Sequence, residues 1–424
     1  MKISLCVICK DEEKKIGRCL RSVKEVVDEM IIIDTGSTDN TIKIAEEEGA
    51  KIYQIPWEDS FSKARNYAIE QVDEGWIVFI DADEYFTSAS VPHIRACVEE
   101  AVVHQRDYLL VEIINKDSIG VMGTLKSIKA FRKDDHIYYI NDIHEALCRD
   151  NGQLKEWDVS DRIKLIHDGY DRMKPDAKDK EARNERLLLK ELEKDPDNVN
   201  TKFYLLQNYL CQSKYDKVIE MGEEVLKYQA FDVWGAKELA YNYIIQACTK
   251  IMRPYDEVKK YYGQAICLNA QYPDFDYYFG IYHYKEKRYE ECLVYFERCL
   301  EKIRNYKERT ASYAVGNIER IWLYQINSCF ELNKINEAIS TMIKVLRINP
   351  DNVEVLLNLV QILQGSEETS VLGEMLSRLY NLDEIRHQLL LLKVSQQCNN
   401  KELFNFFYNR ADNVVKNKFN NSIK

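Results

Sequence analysis

The stretch Trp76-Ile77-Val78-Phe79-Ile80-Asp81-Ala82-Asp83-Glu84 decides the fold. Five apolar residues in succession read as a strand buried on both faces, the kind found in parallel α/β sheets. The two carboxylates that follow, separated by one small residue, then lie at the strand's carboxyl end, where open α/β sheets bind ligands. Two acidic side chains held that close repel each other unless a cation lies between them. A hard divalent metal carrying phosphates is the natural occupant. The stretch therefore predicts a metal–diphosphate site near the middle of an N-terminal domain.

On either side of it the pattern alternates. Residues 3–8 read as a strand and 12–26 as a helix with Ile16, Cys19, Leu20 and Val23 on one face. Residues 30–33 form a second buried strand, and 38–48 a helix capped by the Ser37/Thr38/Asp39 cluster and closed by Gly49. A strand at 51–55, a helix at 61–72 and the strand at 76–80 complete a βαβαβαβ order, which implies right-handed crossovers and a mainly parallel sheet. Beyond that, strands are expected at 108–114, 126–131 and 162–167. Near Lys174-Pro175-Asp176 glycine and strand signals fade, and amphipathic helical patterns run to residue 424. The expected division is an α/β domain over 1–172 and a helical domain over 173–424.

The helical half shows weak repetition. Pro196-Asp197-Asn198-Val199 recurs as Pro350-Asp351-Asn352-Val353, each at a helix boundary. Helix pairs align with a small or apolar residue of the second helix at Val218, Val258, Cys292, Ala338 and Leu372. Trp322, Ala338 and Pro350, together with Phe279-Gly280, fall where a tetratricopeptide repeat would have them. Many tyrosines crowd between Tyr241 and Tyr284. They suit either a concave peptide-binding face or inter-helix packing.

Composition narrows the function classes. A formal net charge of −11 argues against a nucleic-acid binder, and no apolar run is long enough to span a membrane. The first strand is too short and too soon followed by charge to be a signal peptide. Twelve cysteines, most inside apolar periodic segments such as those of Cys211, Cys267, Cys292, Cys299 and Cys329, read as buried reduced thiols of a cytoplasmic protein. There is no Gly-x-x-x-x-Gly-Lys-Ser/Thr loop and no Gly-x-Gly-x-x-Gly after the first strand, which sets aside P-loop and dinucleotide-dependent enzymes.

Four clusters fall on loops after consecutive strands. They are Lys10-Asp11-Glu12-Glu13, then Asp34-Thr35-Gly36-Ser37-Thr38-Asp39-Asn40-Thr41, then Trp57-Glu58-Asp59-Ser60-Phe61-Ser62-Lys63-Ala64-Arg65-Asn66, then Asp81-Ala82-Asp83. Singly, each could be helix capping or dipole complementation. In this joint order the chain resembles the family 2 glycosyltransferases of the GT-A fold, in particular bacterial members that carry tetratricopeptide repeats. The resemblance covers roughly residues 1–170. It implies that Glu12 and Asp34 contact the nucleoside, that Arg65 approaches the donor phosphate or sugar, and that Asp81 meets the ribose and metal. It also implies that Asp83 is the main ligand of Mn2+ or Mg2+. Phe131-Arg132, Ile143-His144-Glu145 and Ile166-His167-Asp168-Gly169-Tyr170 match further elements of the repeat-bearing members. His167 is then a candidate third metal ligand, and His144, Glu145 or Asp142 the base that takes the acceptor's proton. The Glu-Asp pair that the family places after its metal motif is missing here, so the base stays open among those three. Both histidines also have a plainer reading, as loop residues that hydrogen-bond backbone.

The resemblance implies an inverting hexosyl transfer from a UDP-sugar. The two-part layout looks like that of enzymes that glycosylate Cys or Ser of a bacteriocin-type peptide. A saccharide acceptor, or a non-enzymatic peptide-binding scaffold with a degenerate nucleotide-sugar domain, are the alternatives. The helices would position the acceptor or pair two copies of the chain.

Overall fold

The computed structural model describes residues 1–116, 121–150, 152–168, 177–228, 235–306, 310 and 312–422. The chain begins β1 (Ile3–Cys9), α1 (Ile16–Arg21), β2 (Glu29–Asp34), α2 (Thr41–Glu47), β3 (Lys51–Gln54), α3 (Phe61–Glu70), β4 (Trp76–Phe79). It continues β5 (Glu84–Phe86), α4 (Ile94–Val103), β6 (Tyr108–Lys116), β7 (Val121–Arg132), β8 (Ile137–Ile140), β9 (Ala146–Arg149), β10 (Glu156–Asp158), β11 (Lys164–His167). The main sheet runs β3-β2-β1-β4-β7-β6-β11-β5, with β10 beside β6, and β8–β9 form a separate hairpin. The first four strands in that order are mutually parallel, as expected. The far half is mixed, with β7 antiparallel to both β4 and β6, and β11 parallel to β6. A mainly parallel sheet is therefore correct only up to β4.

The strand that decided the reading is buried along its whole length. Its period-2 alternation divides it between two cores. Trp76 and Val78 pack with Leu5, Val7, Leu20 and Cys97, on the face covered by α1 and α4. Ile77 and Phe79 pack with Cys6, Ile33, Ala68 and Tyr139, on the face covered by α3 and the β8–β9 hairpin. Burying each such side chain contributes roughly 1.5–3 kcal/mol. The strand stops because Asp81 N–H donates to Glu84 Oε2 (2.9 Å) while Glu84 N–H donates back to Asp81 O (2.9 Å), closing a turn.

Two sequence expectations are corrected here. The helix expected over 12–26 shrinks to α1, although Ile16, Cys19, Leu20 and Val23 are all fully buried as its pattern requires. Asp11, at φ 54, and the residues after it are engaged by the next loop instead of winding into a helix. In addition, Cys211 and Cys267 are exposed, because they lie on outward helix faces, whereas Cys292, Cys299 and Cys329 are buried.

Helices follow: α5 (Ala177–Lys194), α6 (Val199–Cys211) and α7 (Tyr215–Leu226). The boundary expected at 172/173 lies outside the described residues, and the change from strand to helix falls between His167 and Ala177. By compactness the chain divides later, into Met1–Tyr228 and Gln229–Lys424, because α5–α7 go with the sheet. The second unit holds α8 (Ala236–Ile251), α9 (Tyr255–Leu268), α10 (Pro273–Lys285), α11 (Tyr289–Asn305), α12 (Ile318–Glu331) and α13 (Ile335–Ile348). It ends with α14 (Val353–Leu363), α15 (Thr369–Leu379), α16 (Ile385–Gln397), α17 (Lys401–Arg410) and α18 (Asn413–Ser422).

The repeat positions hold. Val218, Val258, Cys292, Ala338 and Leu372 each sit in the first turns of α7, α9, α11, α13 and α15, and all are at most 1% exposed. The recurring tetrapeptide is a helix start: Asn198 accepts from Thr201 N–H and Asn352 from Val355 N–H, both at 3.1 Å. At Gly280 a Cβ would come within 3.0 Å of the Phe296 ring, so the small residue lets α10 approach α11. The tyrosines resolve toward packing, since Tyr261, Tyr262, Tyr277, Tyr278 and Tyr282 are buried.

Candidate active site

The carboxyl ends of β1, β2 and β4 carry the predicted clusters, and the first two are joined by reciprocal bonds. Asp11 Oδ1 accepts from Thr38 N–H (2.7 Å) and its own N–H donates to Ser37 Oγ (2.9 Å). Glu13 Oε2 accepts from Asn40 N–H (3.1 Å), and Glu13 N–H donates to Asp39 Oδ2 (3.1 Å). Asp34 is fully buried and accepts from the N–H groups of Gly36 and Ser37 (both 3.1 Å). These bonds shape the turn after β2. Glu12 is half-buried on the same rim, with its carboxylate 4.0 Å from Lys15 Nζ.

The Asp-Ala-Asp turn separates its two carboxylates. Asp83 Oδ2 lies 3.5 Å from His167 Nε2, at the end of β11, and 3.4 Å from Lys15 Nζ. Burial opposes the charge of Asp83, but the His167 and Lys15 cations outweigh it and hold the carboxyl well below the usual carboxylate range. Burial likewise opposes the charge of His167, and the Asp83 carboxylate raises it above the ordinary imidazole value. His167 Nδ1 faces Asn115 Oδ1 at 3.0 Å, which turns Nε2 toward Asp83. Of the following elements, Asp168 pairs with Arg18 (2.7 Å), whose guanidinium lies 4.0 Å over the Tyr85 ring. Gly169 and Tyr170 lie outside the described residues.

Asp81 turns the other way. Its Oδ1 accepts from Arg65 Nη2 (2.9 Å) and its Oδ2 lies 3.7 Å from Lys129 Nζ. Burial disfavours its charge, and Lys129 and Arg65 together still lower its pKa. Lys129 is buried on β7 and pairs with the equally buried Glu84 at 2.6 Å. Arg65, expected on a donor phosphate, has its guanidinium bridging two carboxylates: Asp81, and Glu145 through Nε at 3.3 Å. It also lies 4.5 Å over the Phe79 ring.

The three candidate bases occupy one loop and differ in their surroundings. The Asp142 carboxylate faces Lys194 (2.8 Å), and burial, opposed by that ammonium and Ser60, leaves its pKa lowered. The His144 ring lies flat on Tyr204 (3.8 Å between centroids, 9° between planes), and burial of the ring draws it below the ordinary imidazole value. Glu145 alone joins the Arg65–Asp81 network. Among the described residues no group of three or more His, Cys, Asp and Glu gathers closely enough to hold a metal. Asp83 and His167 come together, and Asp81 does not join them.

Lys15, Lys129, Glu84, Asn115 and Tyr204 are the site residues that sequence reasoning missed. Only Lys129 left a signal: a lysine between Ile128 and Ala130 on a strand whose neighbours are apolar.

An α/β domain of this order, with an Asp-x-Asp turn at the end of its fourth strand, is GT-A-like. The family model described as Glycosyl transferase family 2 matches residues 4–115, which include Glu12, Asp34, Arg65, Asp81 and Asp83 but not the later loop. The N-terminal part of the chain is therefore a family 2 glycosyltransferase domain, followed by helices. The SPbeta prophage-derived glycosyltransferase SunS of Bacillus subtilis is 26% identical over 233 residues, 54% of each chain. A TPR repeat-containing protein of Synechococcus elongatus is 29% identical over 229 residues, 52% of this chain and 53% of that protein. The chain thus spans about half the length of the curated relatives it matches. Among solved structures, a 1–349 segment of S. aureus TarS in complex with UDP-GlcNAc aligns over 68% of this chain and 92% of that one, at 18% identity and a TM-score of 0.31.

Proposed function

We propose that this chain is a metal-dependent inverting glycosyltransferase that moves a hexose from a UDP-sugar to Cys or Ser of a bacteriocin-type peptide. One observation carries the metal and donor parts of the reading: Asp83 and His167 meet at 3.5 Å at the carboxyl ends of the sheet, with Asn115 fixing the imidazole. A carboxylate oxygen and an imidazole nitrogen suit Mn2+ or Mg2+ when donor phosphates fill the remaining positions. A cation bound there would supply Lewis-acid stabilisation of the departing diphosphate. Asp81, held by Arg65 and Lys129, lines the donor side, and Glu12 faces the nucleoside.

Glu145 is assigned the base. Of the three, Glu145 shares Arg65 with Asp81 and so adjoins the donor side, whereas Asp142 pairs with Lys194 and the His144 ring stacks on Tyr204. The acceptor oxygen or sulfur attacks the anomeric carbon, the bond to UDP breaks, and the acceptor proton passes to Glu145. A thiol acceptor asks less of the base, since it ionises near pH 8.5. The acceptor class rests on the resemblance of the two-part layout to peptide-modifying enzymes.

Incubation with pooled UDP-sugars, manganese and candidate Cys- or Ser-containing peptides, read by intact mass, tests the whole reading. Asp83→Ala is expected to abolish transfer with the fold retained, and metal-dependent turnover by that variant would overturn the metal assignment. A melting temperature unmoved by UDP, GDP or CDP with manganese would favour a non-enzymatic scaffold, because a bound nucleotide stabilises by mass action.

A further inference from the structure

We infer that α5 and α6 position the loop 141–145 for the reaction, with Glu191 and Tyr204 as its positioning residues; the inference rests on Glu145 being the base. The last pair of the β8–β9 hairpin is Ile140 with Ala146, so the five residues between receive no support from that ladder. Two of them are in the left-handed region, Asn141 at φ 69 and His144 at φ 53. Non-glycine residues persist there only where the surroundings over-determine them.

Those surroundings come from the helices. Glu191 Oε1 accepts from the N–H groups of Asp142 (2.6 Å) and Ile143 (3.2 Å). Its Oε2 accepts from Thr201 Oγ1 of α6 at 3.2 Å, which anchors the carboxylate at its far end. A charged acceptor for two backbone N–H groups is among the stronger hydrogen-bond arrangements. Lys194, one turn further along α5, pairs with the Asp142 carboxylate. Tyr204 of α6 stacks on His144. On the opposite side Phe61 N–H donates to Asp142 O at 2.8 Å, so the loop is fastened to the first residue of the helix that carries Arg65. Glu145 and Arg65 are therefore located from one point, and that point is gripped by α5. Displacing it moves the Glu145 carboxylate relative to donor and acceptor without touching the Asp83–His167 pair.

The test uses the full chain with donor and acceptor peptide. Glu191→Ala is expected to lower kcat by about 100-fold, the scale of a 1 Å misplacement. The donor KM and the stoichiometry of UDP binding by calorimetry should stay at wild-type values. Glu191→Gln keeps an amide oxygen for the two N–H groups and should restore most of the rate. Tyr204→Leu, which removes the stacking without opening α5, should act in the same direction as Glu191→Ala. In the ligand-free protein the amides of Asp142 and Ile143 should exchange faster in Glu191→Ala and at the wild-type rate in Glu191→Gln. Unchanged kcat in both Glu191→Ala and Tyr204→Leu, or unchanged exchange in Glu191→Ala, overturns the inference. Full kcat in Glu145→Gln instead overturns the base assignment, an outcome told apart because the exchange difference would survive it.

Discussion

Lys129→Met gives the sharpest test of the network around the Asp-Ala-Asp turn. The Lys129 ammonium and the Glu84 carboxylate lie 2.6 Å apart with side-chain exposures of 8% and 3%, so neither has water as an alternative partner. Among the described residues, removing the lysine leaves the buried Glu84 carboxylate with the Asp81 N–H as its donor. Breaking one partner of such a pair costs about 3–5 kcal/mol. In a unit of this size each kcal/mol moves the melting temperature by about 2–4 °C, so a fall of roughly 6–20 °C is expected. The double variant Lys129→Met/Glu84→Gln removes the charge left behind, and a buried pair replaced as a whole is often close to neutral. It should recover more than half of the loss. Differential scanning calorimetry of the wild type, both single variants and the double variant closes the cycle. A fall below about 2 °C in Lys129→Met, or a double variant no better than the worse single one, would refute the reasoning, because the pair would then be exchanging with solvent.

Other consequences are equally open to measurement. Gly75 has φ 99, and a Cβ there would lie 2.3 Å from the Lys2 carbonyl oxygen, so Gly75→Ala should lose more than about 1 kcal/mol in urea denaturation. Arg186 grips Asp59 with both Nη atoms (2.6 and 2.7 Å), and that bond lowers the Asp59 pKa to about 2. The stabilisation is present above the unfolded carboxyl value near 4 and fades as pH falls toward 2; Arg186→Ala should flatten stability against pH in that window. Asp274 is buried and accepts from Ser312 Oγ (2.5 Å), Tyr313 N–H (2.8 Å) and Ala314 N–H (3.0 Å). Asp274→Ala leaves those donors without a partner, about 1–3 kcal/mol, and limited proteolysis should open the chain around 312–317 first.

Apolar pattern made the parallel half of the sheet readable, because a strand such as β4 must be buried on both faces to be apolar throughout. The repeat positions were readable for the same reason, a small or apolar residue being required where two helices touch. The mixed half was not, since an antiparallel β7 inserted between β4 and β6 has no signature that distinguishes it from a late parallel strand. At the site, the Asp83–His167 meeting was expected, but the partners of Asp81 were not. Lys129 arrives from a distant strand and Glu145 through an arginine, and pairings of that kind depend on register, not on spacing along the chain. The helix expected over 12–26 failed because Asp11, Glu12 and Glu13 have side-chain or backbone partners in the following loop that outcompete helical winding. What α5 packs against was not readable, because its pattern is amphipathic against any partner; contacts such as Arg186 with Asp59 and Glu191 with the 142–143 backbone supply that information.

The bonds between the first two loops bear on how a ligand would be received. Asp11, Glu13 and Asp39 are already satisfied by the opposite loop before anything enters, so this wall does not have to be ordered on binding. Immobilising a rotamer-rich side chain at a binding surface costs about 0.5–1.5 kcal/mol. Here that entropy is lost during folding. A nucleoside meeting these loops should associate in a single kinetic phase, with affinity that owes more to a preset shape than to rearrangement.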